Sequence, residues 1–151
     1  MEARMRNIVA VFPDALKALR DLAASADEGG VSGQTLELVH LRASQINGCS
    51  VCVGLHASAL KKMGETDERL YSVAAWRDAP YFTDAERAAL ALTEAATRIS
   101  DETDPVTDEV WEEAEKYYDE KALAQLIVHI GGINVWNRFN VVTRQVAGVK
   151  L

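Results

Sequence analysis

The sequence contains only two cysteines in 151 residues, and only two residues separate them. A single pair cannot provide the disulfide framework on which small secreted domains depend. Such a framework is not needed either, because a chain of this length with 48% hydrophobic residues can bury a core large enough to fold. We therefore expect one domain over residues 1–151, and we interpret the close cysteine pair as reactive rather than structural.

The chain also lacks an excess of positive charge and a long apolar run. Its formal net charge is −7, which repels phosphate backbones and anionic membrane surfaces. No apolar stretch approaches the roughly 18 residues of a membrane span, and the charged first residues are not followed by the apolar core of an export signal. These absences predict a cytoplasmic protein without nucleic-acid or membrane partners.

The sequence also lacks the alternation of apolar and polar residues that is typical of β-strands. Apolar residues instead recur at spacings of three and four, which is typical of amphipathic helices. The predicted fold class is all-α, with about six or seven helices. These helices are expected to cover about residues 13–26, 34–46, 49–63, 66–75, 83–99, 107–118 and 121–147, with a kink in the last one at Gly131-Gly132.

Cys49, Cys52 and His56 lie at positions i, i+3 and i+7 at the start of the third predicted helix, and so share one face of it. Residues three apart in a helix have Cβ atoms about 5 to 6 Å from each other, so the two cysteines can form a disulfide after a small adjustment. The N-terminal end of a helix stabilises a thiolate and lowers the thiol pKa. A thiolate that attacks a peroxide becomes a sulfenic acid, which a second thiol converts to a disulfide. The spacing favours hydroperoxide reduction, with no cofactor and no metal.

Geometry alone leaves open which thiol attacks. Cys49 lies nearer the helix terminus, which favours a low thiol pKa, whereas Cys52 has His56 one turn away as a general base. We favour Cys52. Glu37, twelve residues before Cys49 on the preceding predicted helix, can lie across the helix pair from His56 and orient its imidazole. A carboxylate, an imidazole and a thiol in line would act as a proton relay.

The run from Glu37 to Cys52, ELVHLRASQINGCSVC, followed by His56, resembles the alkylhydroperoxidase D-like (AhpD-like), or carboxymuconolactone decarboxylase, family. Further similarity to the family follows at residues 64, 76–77, 82–83, 86–90 and 133–138. An ordered glutamate, cysteine pair and histidine are much more specific than a lone cysteine pair.

The resemblance implies an AhpD-like helical bundle, a homo-oligomer that is usually a trimer or hexamer, and peroxidase activity on hydroperoxides with a thiol or dithiol reductant. It assigns the sulfenic acid to Cys52, the resolving role to Cys49, and the proton relay to Glu37 and His56. Some members have a second histidine directly before the second cysteine, where this sequence has Val51. The decarboxylases of the family lack the cysteine pair, so decarboxylation is the less favoured activity.

Three other interpretations of the cysteine pair stay open at this point. The thiols can be buried and inert, or they can act as a redox switch in a helical adaptor without efficient turnover. Alternatively, the four candidate residues can bind zinc, although a structural zinc site generally has two separated ligand pairs and only one is present. His40 and His129 are interpreted as packing or interface residues outside the mechanism.

Overall fold

The computed structural model describes residues 1–148, which contain eight α-helices joined by loops and two short 3-10 helices. They are α1 (Ile8–Val11), α2 (Pro13–Ala24), α3 (Gly33–Ile46), α4 (Ser50–Lys62), α5 (Asp67–Ser72), α6 (Asp84–Thr97), α7 (Asp108–Glu115) and α8 (Glu120–Val142). No strand occurs among these residues, so the predicted all-α fold class is confirmed. No helix in this part of the chain is both long and apolar enough to cross a membrane.

Helix α3 lies at the centre of the bundle. The Ser32 hydroxyl caps it by accepting a hydrogen bond from the backbone N–H of Thr35 at 3.1 Å. The helix packs against α4, α6 and α8, and its side chains Leu38, Val39 and Leu41 are at most 1% exposed. Burial of each such side chain contributes roughly 1.5–3 kcal/mol, so α3 is the element that fixes its three neighbours in place.

The turn between α3 and α4 sets the position of the first cysteine. Asn47 ends α3, and Gly48 adopts a left-handed φ of +66°, which glycine accepts without a steric penalty. The side-chain amide of Asn47 donates hydrogen bonds to the Oδ1 atoms of Asn134 and Asn137 on α8, both at 2.9 Å. The turn that precedes Cys49 is therefore attached to α8.

A buried carboxylate on α6 ties α3 to the segment after α5. Glu94 is 6% exposed and accepts hydrogen bonds from Arg42 Nε at 2.7 Å, from Trp76 Nε1 at 3.0 Å and from Arg77. Burial alone would raise the pKa of this carboxyl, but the bonds from Arg77, Trp76 and Arg42 outweigh it and lower the pKa to about 2. Glu94 is thus ionised at neutral pH and pairs with Arg42, Arg77 and Arg98.

The last helix differs in length and shape from its prediction. It ends at Val142 rather than at Ala147, because Arg144 adopts a left-handed φ of 53° that stops the helical hydrogen-bond pattern. No break occurs at Gly131-Gly132, which lie inside one continuous helix. A glycine weakens a helix by only about 1 kcal/mol. Burial of the residues on either side, Ile130 and Ile133, offsets this cost.

Two shorter segments also depart from expectation. The predicted fourth helix is α5 only as far as Ser72, after which Val73–Asp78 forms a tighter 3-10 helix with non-helical backbone angles at Ala75. The first helix of the chain, α1, was not predicted, since a single helical turn is too short to show a periodic pattern.

Candidate active site

The two cysteines lie together at the amino-terminal end of α4. Cys49 is the N-cap residue of the helix and Cys52 is in its first turn, with 5.4 Å between their Cα atoms and the two sulfurs paired as a disulfide. The Cys49 sulfur also accepts a hydrogen bond from the backbone N–H of Cys52 at 3.3 Å. The pair therefore occupies the part of the helix where free N–H groups and the helix dipole stabilise negative charge on sulfur.

Helices α3 and α8 enclose this pair. Cys49 and Cys52 are 1% and 2% exposed, and they pack against Ala43 on α3 and Ile133 on α8. The sulfurs thus sit in a largely apolar setting, which strengthens every polar contact that they make.

A side-chain amide supplies the main polar contact to Cys52. Asn140 on α8 donates a hydrogen bond from Nδ2 to the Cys52 sulfur at 3.3 Å. The Oδ1 atom of Asn140 in turn accepts a hydrogen bond from Asn7 at 3.1 Å, and both asparagines are buried. Asn7 therefore fixes the amide so that its N–H group faces sulfur.

A cleft of about 330 Å³ opens beside Cys49. It is lined by Met1, Gly48, Ser50, Val51, Asn140 and Val141, among others. A small molecule in this cleft would lie next to Cys49.

Glu37 and His56 form a hydrogen-bonded pair between α3 and α4. Glu37 lies in the second turn of α3, and its Oε2 accepts a hydrogen bond from His56 Nδ1 at 2.8 Å. Burial alone would raise the pKa of Glu37, but the imidazoles of His40 and His56 lower it to about 2. The ionised carboxylate therefore orients the imidazole of His56 through its Nδ1 atom.

The sulfur pair and the Glu37–His56 pair share one face of α4 without a direct hydrogen bond. Cys52 and His56 are four residues apart on the helix, which places their Cβ atoms about 6 Å from each other. In residues 1–148 the polar partner of the Cys52 sulfur is Asn140, and that of the His56 ring is Glu37. All four predicted site residues are brought to one region, with the imidazole one helical turn from the sulfur.

His40 and His129 were expected to be packing residues, but the structure places both beside the candidate relay. His40 Nε2 and His129 Nδ1 are 3.0 Å apart, and His40 Nδ1 is 3.8 Å from Glu37 Oε1. The rings of His40 and His56 are 4.8 Å apart. Glu37 and His40 are three residues apart on one predicted helix, and this spacing could have indicated that His40 lies beside Glu37. No local pattern around His129 indicated its position.

Comparisons with known proteins identify the family. The model of the carboxymuconolactone decarboxylase family matches residues 12–95. The uncharacterized protein YdfG of Bacillus subtilis (strain 168) is 34% identical over 131 residues, which cover 87% of this chain and 88% of YdfG.

Solved structures show the same fold. ATU0492 from Agrobacterium tumefaciens, a protein of unknown function whose description suggests the antioxidant defence protein AhpD, is 30% identical with a TM-score of 0.89 over 99% of this chain and 100% of its own. A peroxidase-related protein from Ralstonia eutropha JMP134, described as an AhpD core, is 17% identical with a TM-score of 0.77 over 93% of this chain and 74% of its own. The family match over more than half of the chain and the likeness to YdfG show that this protein belongs to the carboxymuconolactone decarboxylase family, and it has the AhpD-like fold.

Proposed function

We propose that the protein is a thiol peroxidase that reduces hydroperoxides at the Cys49–Cys52 pair. The observation that carries this proposal is the position of the pair at the start of α4, on the helix face that also carries His56 in its hydrogen bond to Glu37. A low-pKa thiol, a second thiol in bonding range and a fixed imidazole are what peroxide reduction by cysteine requires.

In the first step the Cys52 thiolate attacks one peroxide oxygen and the O–O bond breaks. Cys52 becomes a sulfenic acid, and the alkoxide leaves as an alcohol after it receives a proton from His56, which Glu37 orients. The hydrogen bond from Asn140 supports the choice of Cys52, because it stabilises a negative charge on the Cys52 sulfur.

In the second step the Cys49 thiol attacks the sulfenic sulfur, a disulfide forms and water leaves. A dithiol reductant then attacks Cys49, which faces the cleft, and a second exchange releases both cysteines as thiols and the reductant as its own disulfide. Each turnover thus consumes one hydroperoxide and one dithiol. Val51 stands where some relatives have a second histidine, so His56 is the proton donor next to sulfur in this scheme.

A second candidate function is that of a redox switch without efficient turnover. The burial of both sulfurs favours it, since a bulky reductant reaches a disulfide that is 1–2% exposed only slowly. Stoichiometric oxidation that no small dithiol reverses would support this function instead.

We also propose that the protein is a cytoplasmic homo-oligomer, a trimer or a hexamer. Large apolar side chains on α8 are exposed in the single chain, with Ile127 at 48% and Val142 at 64%, and contact with another copy would cover them. Light scattering coupled to size-exclusion chromatography measures the subunit number, and a monomer at micromolar concentration would contradict the proposal.

The test of the peroxidase proposal is consumption of an organic hydroperoxide with dithiothreitol by four proteins: the wild type, Cys52→Ser, Cys49→Ser and the control Lys62→Ala. Lys62 is an exposed residue at the far end of α4. We expect Cys52→Ser to lose the activity. Cys49→Ser should form one equivalent of sulfenic acid that dimedone traps, whereas Lys62→Ala should keep the rate of the wild type.

Equal rates in the wild type and both cysteine variants would contradict a catalytic role of the cysteines. Sulfenic acid on Cys49 instead of Cys52, identified by mass spectrometry after sub-stoichiometric peroxide, would reverse the roles of the two cysteines.

A further inference from the structure

All three histidines of the chain meet at one place, next to Glu37. Glu37 and His40 come from adjacent turns of α3, His56 comes from α4, and His129 comes from α8. The peroxidase scheme uses only Glu37 and His56. It gives no reason for the His40 imidazole to lie beside the same carboxylate, or for His129 to lie beside His40.

The nitrogen atoms of His40 and His129 cannot all be satisfied by the protein. His40 Nε2 and His129 Nδ1 share one hydrogen bond at 3.0 Å, while His40 Nδ1 and His129 Nε2 are buried with no hydrogen-bond partner in residues 1–148. If His40 donates that bond, its bare Nδ1 lone pair is directed toward the negative charge of Glu37, 3.8 Å away. A buried polar atom in this state is destabilising, and a cation between the lone pair and the carboxylate would remove that cost.

The spacing of these atoms suits a small cation. One ligand atom from each of Glu37, His40 and His56 lies within 4.8 Å of the others, with 2.8 Å between Glu37 Oε2 and His56 Nδ1. Ligands at about 2.1 Å from a tetrahedral Zn²⁺ are roughly 3.4 Å apart, so side-chain shifts of about 1 Å would complete the site. A glutamate and a histidine three residues apart on a helix also supply metal ligands in helical bundles.

We propose that the Glu37 carboxylate and the Nδ1 atoms of His40 and His56 form a binding site for a divalent transition-metal cation, of which Zn²⁺ fits best. His129 is the outer partner, since it accepts the Nε2 proton of His40 and so keeps the Nδ1 lone pair facing the ion. The fourth position stays open to water. This ligand set differs from a zinc site built on the cysteines, because it contains neither sulfur.

The charge states of the ligands agree with this site at neutral pH. Glu37 is ionised, and burial lowers the pKa of His40 so that its ring stays neutral, which is the form that binds a metal. Imidazole and carboxylate together suit Zn²⁺ better than Mg²⁺ or Ca²⁺, which prefer oxygen ligands.

A bound ion would also regulate the peroxidase, a consequence that rests on the proposed function. Coordination of His56 and Glu37 would occupy the proton relay, and the ion would hold the His56 ring away from the sulfur. Zn²⁺ is therefore expected to slow oxidation of the reduced wild type by at least tenfold in a single turnover without added thiol. Bound Zn²⁺ would keep the oxidation slow until the ion is removed.

The binding test uses the double variant Cys49→Ser/Cys52→Ser, which removes both thiols, and titrates it with Zn²⁺ alone in a calorimeter. We expect one ion per chain. Addition of His40→Gln should weaken binding by at least 100-fold, and addition of His129→Gln by about 10–100-fold. Addition of Glu115→Gln, an exposed carboxylate on α7, should leave it unchanged.

A second readout needs no substitution at the ligands. Co²⁺ added to the same double variant should give the visible absorption of a tetrahedral nitrogen and oxygen site. Absence of that spectrum together with absence of a Zn²⁺ binding isotherm would overturn the proposal, as would full Zn²⁺ affinity in a folded His40→Gln variant. Peroxidase activity without metal binding would contradict only the proposed metal site. Metal binding together with equal rates in all cysteine variants would contradict only the proposed peroxidase function.

Discussion

Asn140 directs its side-chain N–H group at the sulfur of Cys52, 3.3 Å away, although 88 residues separate the two in the chain. Hydrogen bonds to charged groups contribute about 1.5–3 kcal/mol, and the thiolate of reduced Cys52 would be such a group. The contact thus connects the last helix directly with the atom that is proposed to react.

Replacement of Asn140 by alanine should therefore raise the pKa of the Cys52 thiol and slow its reaction with peroxide by about tenfold or more. The rate of alkylation of the reduced protein by iodoacetamide, measured against pH in a Cys49→Ser background, reports that pKa. Asn7→Ala, which removes only the residue that orients the amide, should give a smaller shift in the same direction. An unchanged alkylation profile in Asn140→Ala would mean that the amide does not stabilise the thiolate.

Glu37→Gln should keep the shape of the relay but lose its charge. We expect sulfenic acid formation to slow by at least tenfold, since an imidazole without a carboxylate partner is less basic. Glu37→Asp, which keeps the charge on a shorter side chain, should lie between Glu37→Gln and the wild type. Stopped-flow measurement of single-turnover oxidation gives these rates. A Glu37→Gln rate equal to that of the wild type would exclude the carboxylate from the relay.

Glu94 should make the stability of the fold depend on pH. Its pKa in the folded protein is lowered to about 2 from an ordinary value of 4.5, so its contribution is complete above pH 4.5 and is lost as the pH falls toward 2. That contribution is about 3 kcal/mol at neutral pH. Urea unfolding at pH 7 and pH 3 should show Glu94→Gln well below the wild type at pH 7, with a smaller difference at pH 3.

The exposed residue Glu115 serves as the control for this measurement, because Glu115→Gln should follow the wild type at both pH values. A difference between Glu94→Gln and the wild type that is as large at pH 3 as at pH 7 would show that the loss comes from packing and not from charge.

Thr83 should contribute to stability without affecting the chemistry. Its hydroxyl accepts a hydrogen bond from the backbone N–H of Glu86 at 3.2 Å, and the Glu86 carboxylate accepts one from the backbone N–H of Thr83 at 2.8 Å. Thr83→Ala should cost about 1 kcal/mol and lower the Tm by about 2–4 °C in calorimetry. Thr103→Ala, in an exposed loop, should leave the Tm unchanged. A loss of peroxidase activity in folded Thr83→Ala would contradict this separation.

Local sequence signals predicted most of the fold and half of the site. Residues that begin or end a helix affect only their neighbours in the chain. In the structure such residues stand at helix ends: Ser32, Gly48 and Thr83. The spacing of Cys49 and Cys52 likewise acts within one helical turn.

Contacts between distant segments could not be predicted in this way. His129 is 89 residues from His40, and Asn140 is 88 residues from Cys52, so no local periodicity connects them. Both contacts depend on the rotation of α8 relative to α3 and α4. The packing of the whole core determines that rotation. The end of α8 at Val142 could not be predicted either. It depends on the left-handed backbone of Arg144, and arginine as a residue type does not indicate that conformation.

The position of α8 against the cysteines has a consequence during synthesis. A ribosome completes α4 long before it makes the helix that carries Ile133 and Asn140, and until that helix docks the two thiols have neither their apolar enclosure nor their amide donor. On the proposed function, a nascent chain therefore carries ordinary, slowly oxidising cysteines, and the reactivity that we propose for them arises only when the finished polypeptide closes around them.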